Sequence, residues 1–356
     1  MKITLRQIAE DLNISTATAS LALNDAPRIS KETKERVHAY AKKVGYRYNR
    51  LARNLRMRRT RVIGCVLPSV ISPVAALKLK YLYIEAFRRN YQLQVLFSET
   101  DINQEIRALE ECIDSCVDGL ILQPASPAIE LCGKSHPLNR RELKSFPVVL
   151  FSPVVGKFPS VSNGIKTALQ TCLRHVREKG YQSVALFTQE SLLNDETKIR
   201  EIFSTLTEEN KFLKNRRLLF SVHTKLEQLG VENSAGSRVQ QYFDFDRIDE
   251  WAYDAVPKLL KHPFSYPLAV ICRNDQIAAG VFRYCREHKL QVPEDIGILG
   301  IDDTIAHYLG VTSIRWDYSE SARLVFDHLE ARIEGKRLSI SSQVGHELIE
   351  RASTQR

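Results

Sequence analysis

The 356-residue chain reads as an α/β protein in which a small N-terminal three-helix module and a hinge helix precede a two-lobed, doubly wound body. Three observations predict this. Three short helical repeats of apolar residues, each with its own start and stop signal, fill the first 46 residues. From residue 62 onward, short apolar runs of strand character alternate with helical stretches, in two sets. Finally, the positive charge is gathered at one end. Residues 1 to 61 hold 15 Lys and Arg against 5 Asp and Glu, a net of +10, while the whole chain is +9, so the remainder is close to neutral. The domain expectation is residues 1–46 for the helical module, 47–61 for the hinge and 62–350 for the body.

Within the module, Leu5, Ile8, Ala9 and Leu12 recur at helical spacing and stop at Asn13-Ile14, which predicts one helix and a short turn. Ser15 is a good cap for a second helix with Ala19, Ala22 and Leu23 inward, ending at Asn24-Asp25-Ala26-Pro27. Ser30 caps a third, with Val37, Ala41 and Val44 on one face, until Gly45 supplies a left-handed stop. A tight turn between the first two helices is the helix-turn-helix arrangement, whose second helix points its N-terminal residues at base edges in the major groove. A small protein-interaction module would share this periodicity, but the charge argues for nucleic acid, since neutralised phosphates supply much of the affinity of such proteins.

The segment from Tyr46 to Arg61 carries seven Arg and no acid, with Arg47, Arg50, Arg53, Arg56 and Arg59 at every third position. Alone in water these charges repel; beside DNA the repulsion is relieved, so a segment that becomes helical on binding is expected. Leu51 and Leu55 share one face of that helix, and an apolar wedge flanked by cations is what minor-groove proteins insert between base steps.

In the body, Val62–Leu67, Leu93–Phe97, Gly119–Leu122 and Val148–Phe151 form one set of strand candidates. Ser183–Phe187, Leu218–Phe220, Leu268–Cys272 and Ile296–Ile301 form the second. Two sets imply two lobes, each a parallel sheet covered on both faces, with a ligand site at the carboxyl ends of the strands. An enzyme of the same fold class is disfavoured, because no glycine-rich phosphate loop, Gly-x-Ser-x-Gly elbow or His-Glu-x-x-His is present. Seven scattered Cys suit a reduced interior, and Cys112 and Cys116 lack the partners that would complete a zinc site. No metal and no cofactor are expected. The first fifteen residues include Arg6, Glu10 and Asp11 where a signal peptide would be apolar, and no run spans a bilayer, so the expected location is the cytoplasm, with the nucleoid.

The motifs together identify a family. Thr4-Leu5-x-x-Ile8-Ala9, Ser15-x-Ala17-Thr18-x-Ser20-x-x-Leu23-Asn24, Ser30-x-x-Thr33-x-x-x-Val37 and Gly45-Tyr46-x-x-Asn49-x-x-Ala52-x-x-Leu55 resemble the lactose/galactose repressor (LacI/GalR) family over the whole module. The resemblance implies that Thr16, Ala17 and Leu21 face bases. It places Thr4, Ser15, Thr18, Ser20, Asn24, Ser30, Thr33, Tyr46 and Asn49 on phosphate-contacting or supporting positions, and Arg28 on a further contact after the second helix. It assigns Leu55 to the intercalating hinge position, with Arg50, Ala52, Arg53 and Arg56 beside it. Leu21 stands where the family often has arginine, which suits a thymine methyl or a looser readout. Arg56 stands where a small residue is usual.

The body continues the resemblance, through Leu67-Pro68-Ser-Val-Ile-Ser-Pro73, Val117-Asp118-Gly119, Pro147-Val-Val-Leu150 and Pro293-Glu-Asp-Ile-Gly-Ile-Leu-Gly-Ile-Asp302-Asp303. It implies a two-lobed periplasmic-binding-protein-like (type I) effector domain. Cys272-Arg273-Asn274-Asp275 is similar to the segment that supplies an effector-binding aspartate, so Asp275 is the leading contact, with a second role as helix N-cap. Ser69, Lys198, Arg200, Arg273 and Asn274 complete the expected effector set. Val74 and Ala75 replace aromatics common in the family, and Ile199 replaces an arginine. The implied partners are operator double-stranded DNA, a small sugar-like effector and a second copy, as a homodimer or a dimer of dimers. The alternative is a sugar-binding receptor or transport protein with no transcriptional role. No membrane partner is expected.

Overall fold

The computed structural model describes residues 3–23, 25–46, 59–99, 101–125, 136–141, 145–152, 158–187, 247–261, 264–336 and 341–356. The chain divides into two compact units, Met1–Thr60 and Arg61–Arg356.

The first unit holds α1 (Leu5–Asp11), α2 (Thr16–Leu23) and α3 (Lys31–Lys43). Each helix starts where a hydroxyl can satisfy an orphan backbone N–H. Thr4 Oγ1 accepts from the Gln7 N–H at 3.3 Å, Ser15 Oγ from Thr18 at 3.0 Å and Ser30 Oγ from Thr33 at 3.3 Å. Asn13, at φ +54°, turns the chain between α1 and α2, and Gly45, at φ +65°, ends α3. Ile8, Ala22, Val37 and Ala41 form the buried centre, with Leu12, Leu23, Ile29, Tyr40 and Tyr46 packed around it. Two polar ties fasten α3 to α1: Tyr40 Oη donates to Asp11 at 2.7 Å, and the Arg36 guanidinium donates to the Leu12 carbonyl at 3.0 Å.

The second unit runs β1 (Val62–Leu67), α4 (Pro73–Arg88), β2 (Gln92–Phe97), α5 (Ile102–Asp114), β3 (Gly119–Leu122), β4 (Val148–Leu150), β5 (Ser160–Asn163), α6 (Ile165–Glu178) and β6 (Ser183–Phe187). It continues with α7 (Ile248–Leu260), β7 (Leu268–Cys272), α8 (Asp275–Glu287), β8 (Ile296–Ile301), α9 (Ala306–Leu309), β9 (Thr312–Trp316), α10 (Tyr318–Ile333), β10 (Ser341–Val344) and β11 (His346–Ile349).

Among the described residues these strands make two sheets. One has the order β10-β5-β4-β3-β1-β2 and is parallel throughout; the other has the order β11-β9-β8-β7-β6, with β11 antiparallel to β9. Cys65, Val66, Leu120, Ile121, Val270 and Ile271 are all buried, as central parallel strands covered on both faces must be. The chain passes between the lobes at Gly164, Asp317 and Gly345, so α6 packs on the second sheet and α10 on the first.

The strands expected from apolar runs appear as β1, β2, β3, β4, β6, β7 and β8. Four more, β5, β9, β10 and β11, carry polar sequences such as Ser-Val-Ser-Asn and Ser-Ser-Gln-Val, whose register comes from pairing with neighbours and not from local hydrophobicity. The expected strand at Leu218–Phe220 lies outside the described residues. Among the described residues no helix is long and apolar enough to cross a membrane.

Candidate effector cleft and DNA-contacting surface

In the N-terminal unit, the Ser15 cap holds the first turn of α2 and leaves Thr16 and Ala17 exposed side by side. Leu21, one turn later, is half-buried, and Ser20 is buried and therefore a supporting residue of the module. Thr18 and Thr33 share hydrogen bonds with their capping serines at 2.8 Å, which fixes both hydroxyls near helix N-termini, where the backbone favours a phosphate oxygen. Thr4 and Ser30 cap their own helices, Arg28 is exposed, and Tyr46 is half-buried against the module core. Asn24, Asn49, Arg50, Ala52, Arg53, Leu55 and Arg56 lie outside the described residues.

In the second unit, strand ends gather one group of side chains. Val66 pairs with Leu122 and Leu122 with Leu150, so Ser69, Gln123 and Phe151 follow their strands at one edge of the first sheet. Ile271 pairs with Leu299, which brings Arg273 and Asp302 to the matching edge of the second. Between them lies α4, whose Val74, Leu77 and Tyr81 pack against the second lobe's core beside Ile301, Trp316 and Tyr318. That contact sets Lys78 at the lobe boundary. Its ammonium donates to Gln123 Oε1 at 3.0 Å and stands 4.6 Å from the centre of the Phe151 ring. An adjoining open cavity of about 680 Å3 is lined by Leu77 and Tyr81 from one lobe and by Asp302, Trp316, Tyr318 and His346.

Asp275 is 1% exposed, and its carboxylate is held by its own lobe. Ser313 Oγ donates to Oδ1 at 2.6 Å; the Thr304 N–H and, at 3.2 Å, the Thr304 hydroxyl donate to Oδ2. These bonds brace the turn after β8, where Asp302 and Asp303 both adopt positive φ, +102° and +47°. The rest of the turn is fixed equally firmly. Trp316 Nε1 donates to Asp302 Oδ1 at 2.8 Å, and Asp303 is paired with Arg315 and Arg351. The expected N-cap role of Asp275 is corrected by this geometry. Asn274 is the cap, accepting from the Ile277 N–H at 2.8 Å, because its extended backbone precedes the first helical residue, Asp275.

Burial sets the electrostatics. It pushes the Asp275 carboxyl up to about 6 against the hydrogen bonds from Ser313 and Thr304, and raises Asp302 as well, with Arg273 opposing. It lowers Lys78 to about 8, with Asp302 pulling the other way and Arg273 adding to the lowering. Lys78, Arg273, Asp302 and Tyr318 thus share one electrostatic neighbourhood. The buried Tyr318 hydroxyl has no hydrogen-bond partner among the described residues.

Of the expected effector residues, Arg273, Asn274 and Asp275 fall together at the β7 end, and Ser69 is buried after β1, its Oγ accepting from Ile71. Lys198 and Arg200 lie outside the described residues. Lys78, Gln123, Trp316 and Tyr318 are not among the residues expected from sequence, and Asp302 is expected only as part of a motif. The available signals were a lysine inside the apolar face Val74-Leu77-Tyr81, and an aspartate ending a fully apolar strand.

Comparison with known proteins matches both units. Residues 4–49 fit the family of bacterial regulatory proteins, lacI family, and residues 173–354 fit the periplasmic binding protein-like domain. The chain is 26% identical over 338 residues to the ribose operon repressor of Escherichia coli (strain K12), covering 93% of each. It is 25% identical over 312 residues to catabolite control protein A of Priestia megaterium, covering 85% of this chain and 83% of that one. A crystal structure of the lac repressor dimer bound to operator and the anti-inducer ONPF superposes with a TM-score of 0.78 at 18% identity, covering 100% of both chains, which establishes a common fold. With the lacI-family match over residues 4–49, the periplasmic binding protein-like match over residues 173–354 and a repressor relative aligned along 93% of the chain, the chain belongs to the lacI family of bacterial regulatory proteins.

Proposed function

We infer that this protein is a DNA-binding transcriptional regulator, a repressor by the habit of its relatives, controlled by a small sugar-like molecule. It works in the cytoplasm on nucleoid DNA. The observation that carries the reading is the joining of an exposed Thr16-Ala17 turn, capped for the major groove, to a two-lobed body with polar side chains converging at its strand ends. Thr16, Ala17 and Leu21 read bases; Thr4, Ser15, Thr18, Ser30, Thr33 and Arg28 orient the module on phosphates. The arginines of residues 47–61 supply the salt-sensitive part of the affinity, and Leu55 enters the minor groove at the operator centre.

Two copies read the half-sites of a near-palindromic operator. The lac repressor is a dimer in its complex with operator, and here Tyr83 and Phe87, one turn apart on α4, are 61% and 72% exposed, an apolar patch suited to a second copy. Effector binding between the lobes changes their relative position and with it the spacing of the two hinges, so that hinge folding is the switch. In the cleft, Asp302, Asn274 and Arg273 touch the effector, and Asp275 acts through the turn that presents Asp302.

Electrophoretic retardation of genomic fragments at two salt concentrations tests the reading. A retarded fragment whose affinity falls steeply with salt is expected; failure to retard any fragment, with or without cell extract metabolites, would overturn it.

A further inference from the structure

The acids around the cleft are already engaged. Asp275 is held by Ser313 and Thr304, Asp302 by Trp316, and Asp303 by Arg315 and Arg351. The cations are not. Neither Arg273, half-buried at the end of β7, nor Lys78, half-buried on α4, has a carboxylate within ion-pair distance among the described residues. Lys78 instead rests on the neutral Gln123 amide and the Phe151 ring. Two cations that approach each other from opposite lobes share one nearby carboxylate, Asp302, whose single charge offsets only one of the two and leaves a place for a second anion.

We propose that the effector is an acid: a sugar-like molecule bearing a carboxylate or phosphate, clamped between the Arg273 guanidinium of one lobe and the Lys78 ammonium of the other. This rests on the reading of the cleft as the effector site. The planar guanidinium takes two anion oxygens, and the ammonium takes one. The remaining hydroxyls of the ligand face Gln123, Asn274, Asp302 and the unpartnered Tyr318 hydroxyl. Because the two cations belong to different lobes, the anion draws the lobes together. A neutral sugar would leave Asp302 as the one carboxylate facing two cations among the described residues, so charge gives selectivity as well as affinity. Burial lowers the proton affinity of Lys78, and nearby Arg273 adds to the lowering against the pull of Asp302.

The full-length protein is melted with 1 mM-scale additions of four acids, gluconate, galacturonate, glucose 6-phosphate and ribose 5-phosphate, and of neutral glucose, galactose and ribose. At least one acid is expected to raise the Tm and no neutral sugar to match it; the acid that acts, sugar acid or sugar phosphate, identifies the anion. Arg273→Gln and Lys78→Gln should each weaken the response by at least about tenfold in ligand concentration, while Arg273→Lys keeps part of it and shows that the fold survives change at this position. Equal stabilisation by a neutral sugar, an undiminished response in Arg273→Gln, or no response to any acid would overturn the proposal. Operator retardation is measured on the same preparations, so loss of the acid response with DNA binding intact removes this inference alone.

Discussion

Asp275 and Gly300 are in such close contact that a methyl group on Gly300 would fall 2.2 Å from the Asp275 carboxylate oxygen and 3.2 Å from Ser313 Oγ. Of the two glycines of β8, Gly300 therefore makes room for the acid that braces the neighbouring turn. Gly300→Ala is expected to destabilise the second lobe by about 2 kcal/mol or more, since the displaced groups are buried and hydrogen-bonded. Thermal melting measures it. A change of under about 0.5 kcal/mol would show that Asp275 can move freely and is no brace.

Asp275 also predicts a pH dependence. Its carboxyl binds its proton more tightly when folded, at about 6, than in the unfolded chain, near 3.8. A raised carboxyl holds its full stability below the unfolded value and loses it as pH rises toward the folded value, the loss approaching about 3 kcal/mol above pH 6. Asp275→Asn carries no such charge. Its stability relative to the parent should therefore rise between pH 4 and pH 6 and level off above, read as the difference in Tm at each pH. A difference that stays flat from pH 4 to pH 7 would contradict the raised carboxyl.

The split between what was legible in the sequence and what was not has a physical basis. Val62–Leu67 and Ile296–Ile301 declare themselves because a central parallel strand must be apolar on both faces. Thr4, Ser15 and Ser30 declare helix starts because capping is a local interaction. Lys78 does not, because its partners Gln123 and Phe151 are 45 or more residues away and only the sheet register brings them near. Asp275 looked like an open ligand contact because its neighbours Ser313 and Thr304 arrive from β9 and from the β8 turn. The sequence of Ser341–Val344 hides a strand because its pairing with Ser160–Asn163 joins distant parts of the chain.

On the proposed reading, the cap on α2 links module stability to base reading. Ser15→Ala leaves the Thr18 N–H without its oxygen, a loss of about 1 kcal/mol, and loosens the turn bearing Thr16 and Ala17. Operator affinity should fall by about fivefold. Ser15→Asn, which can cap equally well, should restore most of it in a fluorescence anisotropy titration. If Ser15→Asn binds as weakly as Ser15→Ala, the hydroxyl touches DNA directly and the cap explanation fails.

The exposed apolar pair on α4 separates assembly from folding. Phe87→Glu places a charge on a side chain already 72% exposed, so the monomer should melt within about 1 kcal/mol of the parent. Its dimer should dissociate, since a buried unpaired carboxylate at each copy of the interface is strongly unfavourable. Analytical ultracentrifugation is expected to show the monomer mass at micromolar concentration. A dimer as tight as the parent's would place the interface elsewhere.

The hinge gives the sharpest division between kinds of DNA contact. Residues 47–61 combine seven Arg with Leu55, and the two chemistries predict different readouts. On the proposed reading Leu55 is a wedge that acts only where base steps can be opened, so Leu55→Ala should lower affinity for the specific site by about one to two orders of magnitude while nonspecific binding changes little. On the same reading Arg53→Gln removes a phosphate contact made on any sequence. It should weaken specific and nonspecific binding alike, and reduce the slope of log affinity against log salt by about one per arginine. Retardation assays on operator and scrambled fragments across several salt concentrations distinguish the two. If Leu55→Ala lowers the salt slope while Arg53→Gln alters specificity, the roles assigned to wedge and cations are reversed.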